Sequence, residues 1–251
     1  MSIQVIPIRG FPIINEGDDL AKLVIESMAE MGLSPMVGDV YIFSHVIVSR
    51  SESKTVDLRK ITPGEKAKKY ADITGKDPRL VQVILNESNG IRRISNGVLI
   101  TETKHGFVCA NAGVDKSNVP GDDVVSPLPD DPDKSAKIIR QKIQELTGLN
   151  VGVIVCDTHG RAHRCGEVNM AVGASGFEVI RDRRGERDLF GYELTVKRTA
   201  VSDELAAAAE LVIGQSDEAV PVALIRGYSI QLSETSVAKD LVRPREGDLF
   251  L

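Results

Sequence analysis

Residues 151–156, Val-Gly-Val-Ile-Val-Cys, form an apolar run of strand length that ends abruptly on Asp157 and Thr158. Gly160 and Gly166, with Arg161 and Arg164, follow at once. Such a run reads as a buried strand, and a buried strand needs no carboxylate at its tip for stability. Strand ends that pass into glycine-relaxed loops are where open sheets hold ligands. Asp157 and Thr158 offer hard oxygens suited to magnesium or manganese. The forks of Arg161 and Arg164 match phosphate or carboxylate, which makes them candidate substrate-binding residues. The feature predicts a strand tip that carries a site.

The rest of the chain alternates strands and helices. Ile3–Ile8 reads as a first strand, Asp18–Met31 as an amphipathic helix, and Val40–Val48 as a β-branched strand. Thr62-Pro63 and Asp77-Pro78 each predict a capped helix start, for helices reaching about Thr74 and Asn86. Strands are expected around Gly97–Thr101 and Phe107–Ala110. Asn118–Asp133 carries Pro120, Pro127, Pro129 and Pro132 and predicts an irregular joint, near 119–132, between two lobes. Asp133 is expected to cap a helix to Leu146, closed by Gly148. Val168–Val172 and Tyr192–Lys197 read as strand-like, Ser202 as the cap of a helix to Ile213, and Val220–Ile225 as a last strand. The expected organisation is a single unit, 1–251, of two tightly joined mixed α/β lobes.

Composition narrows the class. The 251 residues suffice to bury a large core. A net charge of −5 argues against non-specific nucleic-acid binding. No run of eighteen apolar residues and no basic-then-apolar leader pattern is present. Cys109, Cys156 and Cys165 share no CxxC spacing and fit reduced thiols, so a cytoplasmic protein without membrane partners is expected.

Other clusters invite chemistry. In Asn111-Ala-Gly-Val-Asp115-Lys-Ser-Asn118, a glycine frees the backbone and Asp115 follows an apolar strand as Asp157 does. The two tips can share one cation, or Asp115 and Asn118 can simply form an Asx-type turn. Gly214-Gln215-Ser216-Asp217-Glu218-Ala219-Val220 is a second candidate, with a helix C-cap and polar connector as the plainer reading. His159 and His163 lie four apart, but the flanking glycines argue against a helix presenting them, so no zinc pair is predicted. Arg181–Asp188 reads as a solvated charged loop. No GxxxxGK[ST], GxGxxG or GxSxG motif occurs, and Asp157 lacks the second aspartate of an aspartyl-phosphate site. A nucleotide, if bound, is held by an uncommon route.

Taken in order, these segments resemble a known family. Gly10-Phe-Pro-Ile-Ile-Asn-Glu-Gly-Asp-Asp-Leu20, Asn111–Val119, Val153-Ile-Val-Cys-Asp157-Thr158-His-Gly160-Arg161, Asp188-Leu-Phe-Gly191-Tyr-Glu-Leu, Ser202-Asp203-Glu204-Leu and Gly214-Gln215 resemble those of the coenzyme F-420-0:L-glutamate ligases, the gamma-glutamyl ligases of deazaflavin coenzyme biosynthesis. The resemblance implies a GTP-dependent ligase that adds L-glutamate to coenzyme F-420-0 through a gamma-linked amide, and leaves open a further addition to F-420-1. It implies magnesium or manganese at two sites, potassium as a monovalent activator, and an α+β fold forming an intertwined homodimer. Asp115 and Asp157 then correspond to ligands of one metal, and Thr158 and Gln215 to ligands of the second. GTP contacts fall on Phe11, Pro12, Ile13 and Ile14; on Ser44, His45, Arg50 and Asn118; and on Ile213, Gly214, Gln215, Ser216, Asp217, Glu218, Ala219 and Val220. The length implies a stand-alone enzyme of the archaeal type.

One departure stands out. Where the family commonly has Ser-Lys, this chain has Ser49-Arg50, followed by Ser51-Glu-Ser-Lys54. A planar fork replaces a compact ammonium at a phosphate contact. The implied chemistry runs through an acyl phosphate, with GDP and phosphate released. A metal-dependent nucleotide phosphohydrolase and a non-catalytic GTP sensor are the alternatives that the residues themselves leave open.

Overall fold

The computed structural model describes residues 2–95 and 97–248. The first half runs β1 (Gln4–Ile8), α1 (Leu20–Glu30), β2 (Val40–Ser44), α2 (His45–Ser51), β3 (Val56–Asp57), α3 (Glu65–Thr74), α4 (Pro78–Asn86), β4 (Ser88–Ser95), β5 (Val98–Thr103) and β6 (Val108–Ala110). The second half runs β7 (Val124–Val125), α5 (Pro132–Thr147), β8 (Gly152–Arg161), β9 (Arg164–Phe177), β10 (Ile180–Asp182), β11 (Arg198–Ala200), α6 (Val201–Ile213), β12 (Val222–Arg226) and β13 (Leu232–Ser233). The fold is a mixed α+β arrangement.

A six-stranded sheet in the order β1-β12-β2-β8-β9-β13 forms its centre. Only β2 and β8 run parallel; the other neighbours are antiparallel. Alternation along β2 explains why its residues are apolar on both sides. Tyr41 and Phe43 pack with Val24 and Met28 of α1 and Ile143 of α5. Val40 and Ile42 face the other way, onto Leu205, Ala206 and Ala209 of α6. With both faces covered, the strand loses its polar positions. Each fully buried large side chain here contributes about 1.5–3 kcal/mol.

A separate apolar cluster gathers Leu58, Ala67, Ala71, Val81, Ile84, Leu99 and Val114, from α3, α4, the β4-β5-β6 sheet and the segments beside it. Two ties carry the chain back from it: β3 pairs with β7, and Asp115 bridges to Ser126.

Several sequence expectations need correction. The predicted strand through Val48 stops at Ser44, and His45–Ser51 is helical. Val46, Ile47 and Val48 are all buried, and a fully buried run carries no periodicity to separate strand from helix. The third helix begins at Glu65 with Gly64 as its cap, not at Thr62-Pro63. Asp131, not Asp133, caps α5, accepting Lys134 N–H at 3.0 Å with Pro132 at the first position. Asp133 instead accepts the N–H groups of Ala174, Ala238 and Lys239 and so anchors the C-terminal segment. Ser202 lies inside α6, whose cap Ala200 makes no side-chain bond. Tyr192–Lys197 forms no strand; the isolated Arg187–Glu193 bridge and backbone bonds such as Leu194 N–H to Glu186 O and Gly185 N–H to Leu194 O fold it back on 183–188. The proline-rich stretch includes the short strand β7.

The largest correction concerns the strand tip. β8 does not end at Asp157 but continues to Arg161 and turns back through Ala162 and His163 into β9. His163 adopts φ 62°, a left-handed conformation within that turn.

Candidate functional site

β2 and β8 run side by side only as far as the Ser44–Cys156 pair. There β2 passes into α2, while β8 goes on with β9 alone, from Cys156–Ala171 to Arg161–Arg164. Asp157 is therefore the first β8 residue beyond its parallel neighbour. Divergence of two parallel strands opens a crevice at their C-terminal ends, which places a carboxylate at its floor without any strand having to end there.

The Asp157 side chain is 10% exposed. Its Oδ1 accepts the N–H of Thr158 at 2.8 Å and faces His45 Nε2 at 3.3 Å. Its Oδ2 is 3.0 Å from His159 Nε2. Burial works to raise this carboxyl, but the charge of His45, the contacts of His159 and the Thr158 N–H outweigh it and hold the group below its ordinary value. Burial likewise opposes charge on His159, and Asp157 overrides it, pushing His159 up to about 10. Asp157 is thus an anion at neutral pH.

The 3-10 turn Asn111–Gly113 presses against this carboxylate. Gly113 has φ +65°, and a Cβ there would stand 2.8 Å from Leu128 Cγ and 3.0 Å from Asp157 Oδ2. Asp115 follows two residues later, its backbone fixed to Ser126 by bonds of 2.9 and 2.7 Å. Its Oδ1 accepts both the N–H and the hydroxyl of Ser117 at 2.8 Å, so the Asx-type turn forms, and Asp115 also lines the crevice.

On the opposite wall, α6 ends at Gly214, whose φ 72° and ψ −177° only glycine adopts readily. A Cβ there would lie 2.1 Å from Glu218 Cδ. The reversal lays residues 214–220 over the crevice and brings Gln215 Nε2 to 2.9 Å from Thr158 Oγ1.

These walls enclose a cavity of about 430 Å³, within the ordinary range of small-molecule sites. Its lining draws on five stretches far apart in sequence: Phe11–Ile14, Ser44–Ile47 with Arg50, Asp115 with Ser117–Pro120, Cys156–Thr158 with Asn169, and Ile213–Pro221 except Asp217. Every sequence-predicted site residue apart from three is among them. Asp217 does not line the cavity, and Arg161 and Arg164 face each other across the hairpin end, outside it.

Sequence reasoning missed other residues here. Asn169 of β9 is 3% exposed and accepts the Thr158 hydroxyl at 2.8 Å. Glu210 of α6 accepts the Asn169 N–H and the Gln215 amide. His159 was set aside as a zinc ligand, yet its ring holds Asp157, and one ligand atom each of Cys109, Asp157 and His159 lies within 4.8 Å of the others. The lone signal for Asn169 was a polar residue inside an apolar stretch; Glu210 and Cys109 gave none.

The donors suit a hard cation. Asp115 and Asp157 offer carboxylate oxygens to the cavity and Thr158 a hydroxyl oxygen, while Gln215 turns its Nε2 toward Thr158. That set matches magnesium or manganese bound with a phosphate chain, where the protein gives only one or two carboxylates. His45 Nε2 makes a 3.3 Å ion-pair contact with Asp157 without hydrogen-bond geometry, and its Nδ1 has no hydrogen-bond partner among the described residues.

Comparison with known proteins matches residues 9–227 to the family model described as F420-0:Gamma-glutamyl ligase. The chain is 48% identical over 251 residues to the coenzyme F420:L-glutamate ligase of Methanothermobacter thermautotrophicus, covering 100% of this chain and 99% of that protein. It is 46% identical over 240 residues to the protein of that name in Methanopyrus kandleri, covering 94% and 93%. To that of Archaeoglobus fulgidus it is 38% identical over 250 residues, covering 100% and 97%. The chain belongs to the F420-0:gamma-glutamyl ligase family.

Proposed function

We propose that this protein is a GTP-dependent ligase that joins L-glutamate to coenzyme F-420-0 through a gamma-linked amide. The observation that carries the reading is the convergence of five distant segments, two of them bearing Asp115 and Asp157, on one cavity. The family description supplies the acceptor, F420-0, and the names of the relatives supply L-glutamate. A carboxylate is a poor acyl donor because oxide is its leaving group. One carboxylate oxygen of the acceptor attacks the γ-phosphorus of GTP, GDP leaves, and an acyl phosphate forms. The amino nitrogen of glutamate then attacks the acyl carbon, phosphate leaves, and the ammonium proton passes to the surroundings.

The chain's own residues do the positioning. Phe11–Ile14 and Ile213–Val220 provide apolar and backbone walls for the nucleotide, with Asn118 and Ser44 as polar contacts. Arg50 at the cavity wall meets phosphate charge, and His45 holds Asp157 in place. Asp115 and Asp157 would hold one divalent ion, and Thr158 and Gln215 a second. Magnesium or manganese in those places supplies charge neutralisation for the phosphates and the transferring group. Potassium is proposed as a monovalent activator without an assigned seat.

The proposal extends to assembly and place. The segment 183–197 exposes Leu189 (98%), Phe190 (96%) and Val196 (84%), which supports an intertwined homodimer, since apolar side chains clustered on one arm mark an association surface. The two-lobed chain acts as one ligase unit. Cys109, Cys156 and Cys165 are free thiols, and no helix among the described residues is long and apolar enough to cross a membrane; both accord with a cytoplasmic enzyme.

The test is an assay of GDP release with GTP, manganese, F-420-0 and glutamate, omitting each in turn. The reading requires GDP release to depend on both acceptor and glutamate. Turnover without glutamate would instead identify a nucleotide phosphohydrolase, and binding of GTP without GDP release under any combination a sensor.

A further inference from the structure

Four residues close a hydrogen-bonded ring: Thr158, Asn169 and Gln215 line the cavity, and Glu210 stands behind them. Glu210 accepts the backbone N–H of Asn169 on Oε2 at 2.6 Å and the Gln215 amide on Oε1 at 2.8 Å. The same Gln215 Nε2 donates to Thr158 Oγ1 at 2.9 Å, and Thr158 Oγ1 donates to Asn169 Oδ1 at 2.8 Å. A hydroxyl has one proton and two lone pairs. Since the proton of Thr158 is committed to Asn169, its lone pairs are left toward Gln215. The amide nitrogen thus stands between a carboxylate oxygen and a hydroxyl oxygen, both turned toward it as acceptors. An amide N–H group fills surroundings that are electrically those of a cation.

We propose that Glu210 supplies the negatively charged ligand of the second cation, at the place spanned by the Gln215 amide nitrogen, and that Asn169 positions Thr158 for it. This rests on the proposed reading that Thr158 and Gln215 hold a metal ion beside the nucleotide. Those two residues carry no charge, and Asp115 and Asp157 are assigned to the first ion. A divalent cation bound with phosphates takes at least one protein carboxylate in most such sites, and Glu210 is the carboxylate in hydrogen-bond contact with the Gln215 side chain. For Gln215 to serve as a ligand it must present Oε1 where it now presents Nε2. That exchange releases Glu210 Oε1 from the amide and leaves it facing the ion. Gln215 is exposed and free to make it, whereas Asn169 is buried and holds Thr158 fixed.

The test counts bound manganese by the electron paramagnetic resonance signal of free Mn²⁺, using metal-free protein saturated with GDP. Wild type, Glu210→Gln, Glu210→Asp and Thr158→Val are compared, with thermal midpoints as the folding control. Glu210→Gln keeps a hydrogen-bond acceptor, so a purely structural role leaves its manganese count unchanged. The expected result is two ions in wild type, and in Glu210→Gln a second ion weakened at least about tenfold with the first intact. Glu210→Asp keeps the charge and is expected to retain the second ion better than Glu210→Gln, which separates lost charge from damaged folding. A second ion lost in Thr158→Val but bound by Glu210→Gln within about twofold of wild type would overturn the role of Glu210 alone. Fewer than two ions in wild type would overturn the two-metal reading beneath it as well.

Discussion

Gly113 lies so close to Asp157 that a single added methyl group would stand 3.0 Å from the Asp157 Oδ2 atom. The same methyl would sit 2.8 Å from Leu128 Cγ, on a backbone at φ +65°. Gly113→Ala is therefore expected to cost about 1–3 kcal/mol of stability. Because the turn that moves also leads to Asp115, turnover should fall further than the loss of folded protein explains. Chemical denaturation beside steady-state kinetics on the folded fraction measures both. Wild-type stability and turnover in this variant would show that the turn is not held against the carboxylate.

Gly214 gives the matching test on the opposite wall. With a Cβ, the backbone there would collide with Glu218 Cδ at 2.1 Å. Since α6 is already complete at Ile213, Gly214→Ala is expected to keep helix content by circular dichroism while weakening nucleotide binding at least about tenfold, read by calorimetry with GDP. Unaltered GDP affinity would remove residues 214–220 from the nucleotide site.

Asp39 and Arg226 lock the sheet far from the cavity. Asp39 is 1% exposed and accepts two bonds from the guanidinium, at 2.8 and 2.7 Å. Removing one partner of such a pair strands the other charge. Asp39→Ala is expected to destabilise the protein by about 3 kcal/mol or more in urea unfolding, with KM values unchanged for protein that remains folded.

Tyr41 sets an alkaline limit. Its ring is fully buried, and its hydroxyl has no hydrogen-bond partner among the described residues. Burial first, then the charge of Asp39, raises its pKa above the ordinary value near 10. With the folded value above the unfolded one, the folded state binds the proton more tightly. Its contribution is intact below pH 10 and is lost as pH rises from there toward the folded value, by up to about 1.4 kcal/mol per pH unit. Tyr41→Phe should leave stability at pH 7 unchanged or slightly higher and flatten the loss above pH 10. An equally steep loss in the variant would place the alkaline limit elsewhere.

Arg50 separates charge from shape at the cavity wall. Arg50→Lys keeps the charge and removes only the planar fork, so turnover should stay within a modest factor of wild type. Complete loss would mean that the fork itself is required.

Much of this site was legible in the sequence because its parts announce themselves by composition. Asp157-Thr158 interrupts an apolar run, Asp115 follows a freed glycine, and Gly214-Gln215 ends an alanine-rich helix. The structure brings all of these to one cavity. What stayed hidden was decided by tertiary contacts. Asp157 was read as a strand tip, whereas the strand runs on and only its parallel neighbour departs, an event set by the turn of β2 into α2. That turn was itself unreadable, because Val46, Ile47 and Val48 are buried in a helix as completely as they would be in a strand. Glu210 carries no signal in the sequence; only packing of α6 on β9 brings it to Asn169.

The central claim is that Asp157 serves a glutamate-adding reaction driven by GTP. The most direct measurement is product mass after incubating wild type and Asp157→Asn with GTP, manganese, F-420-0 and L-glutamate. Wild type should yield the acceptor heavier by one glutamyl residue, with one GDP per amide formed. Asp157→Asn should remain folded and yield neither product. Glutamyl product at the wild-type rate from a folded Asp157→Asn would contradict the account.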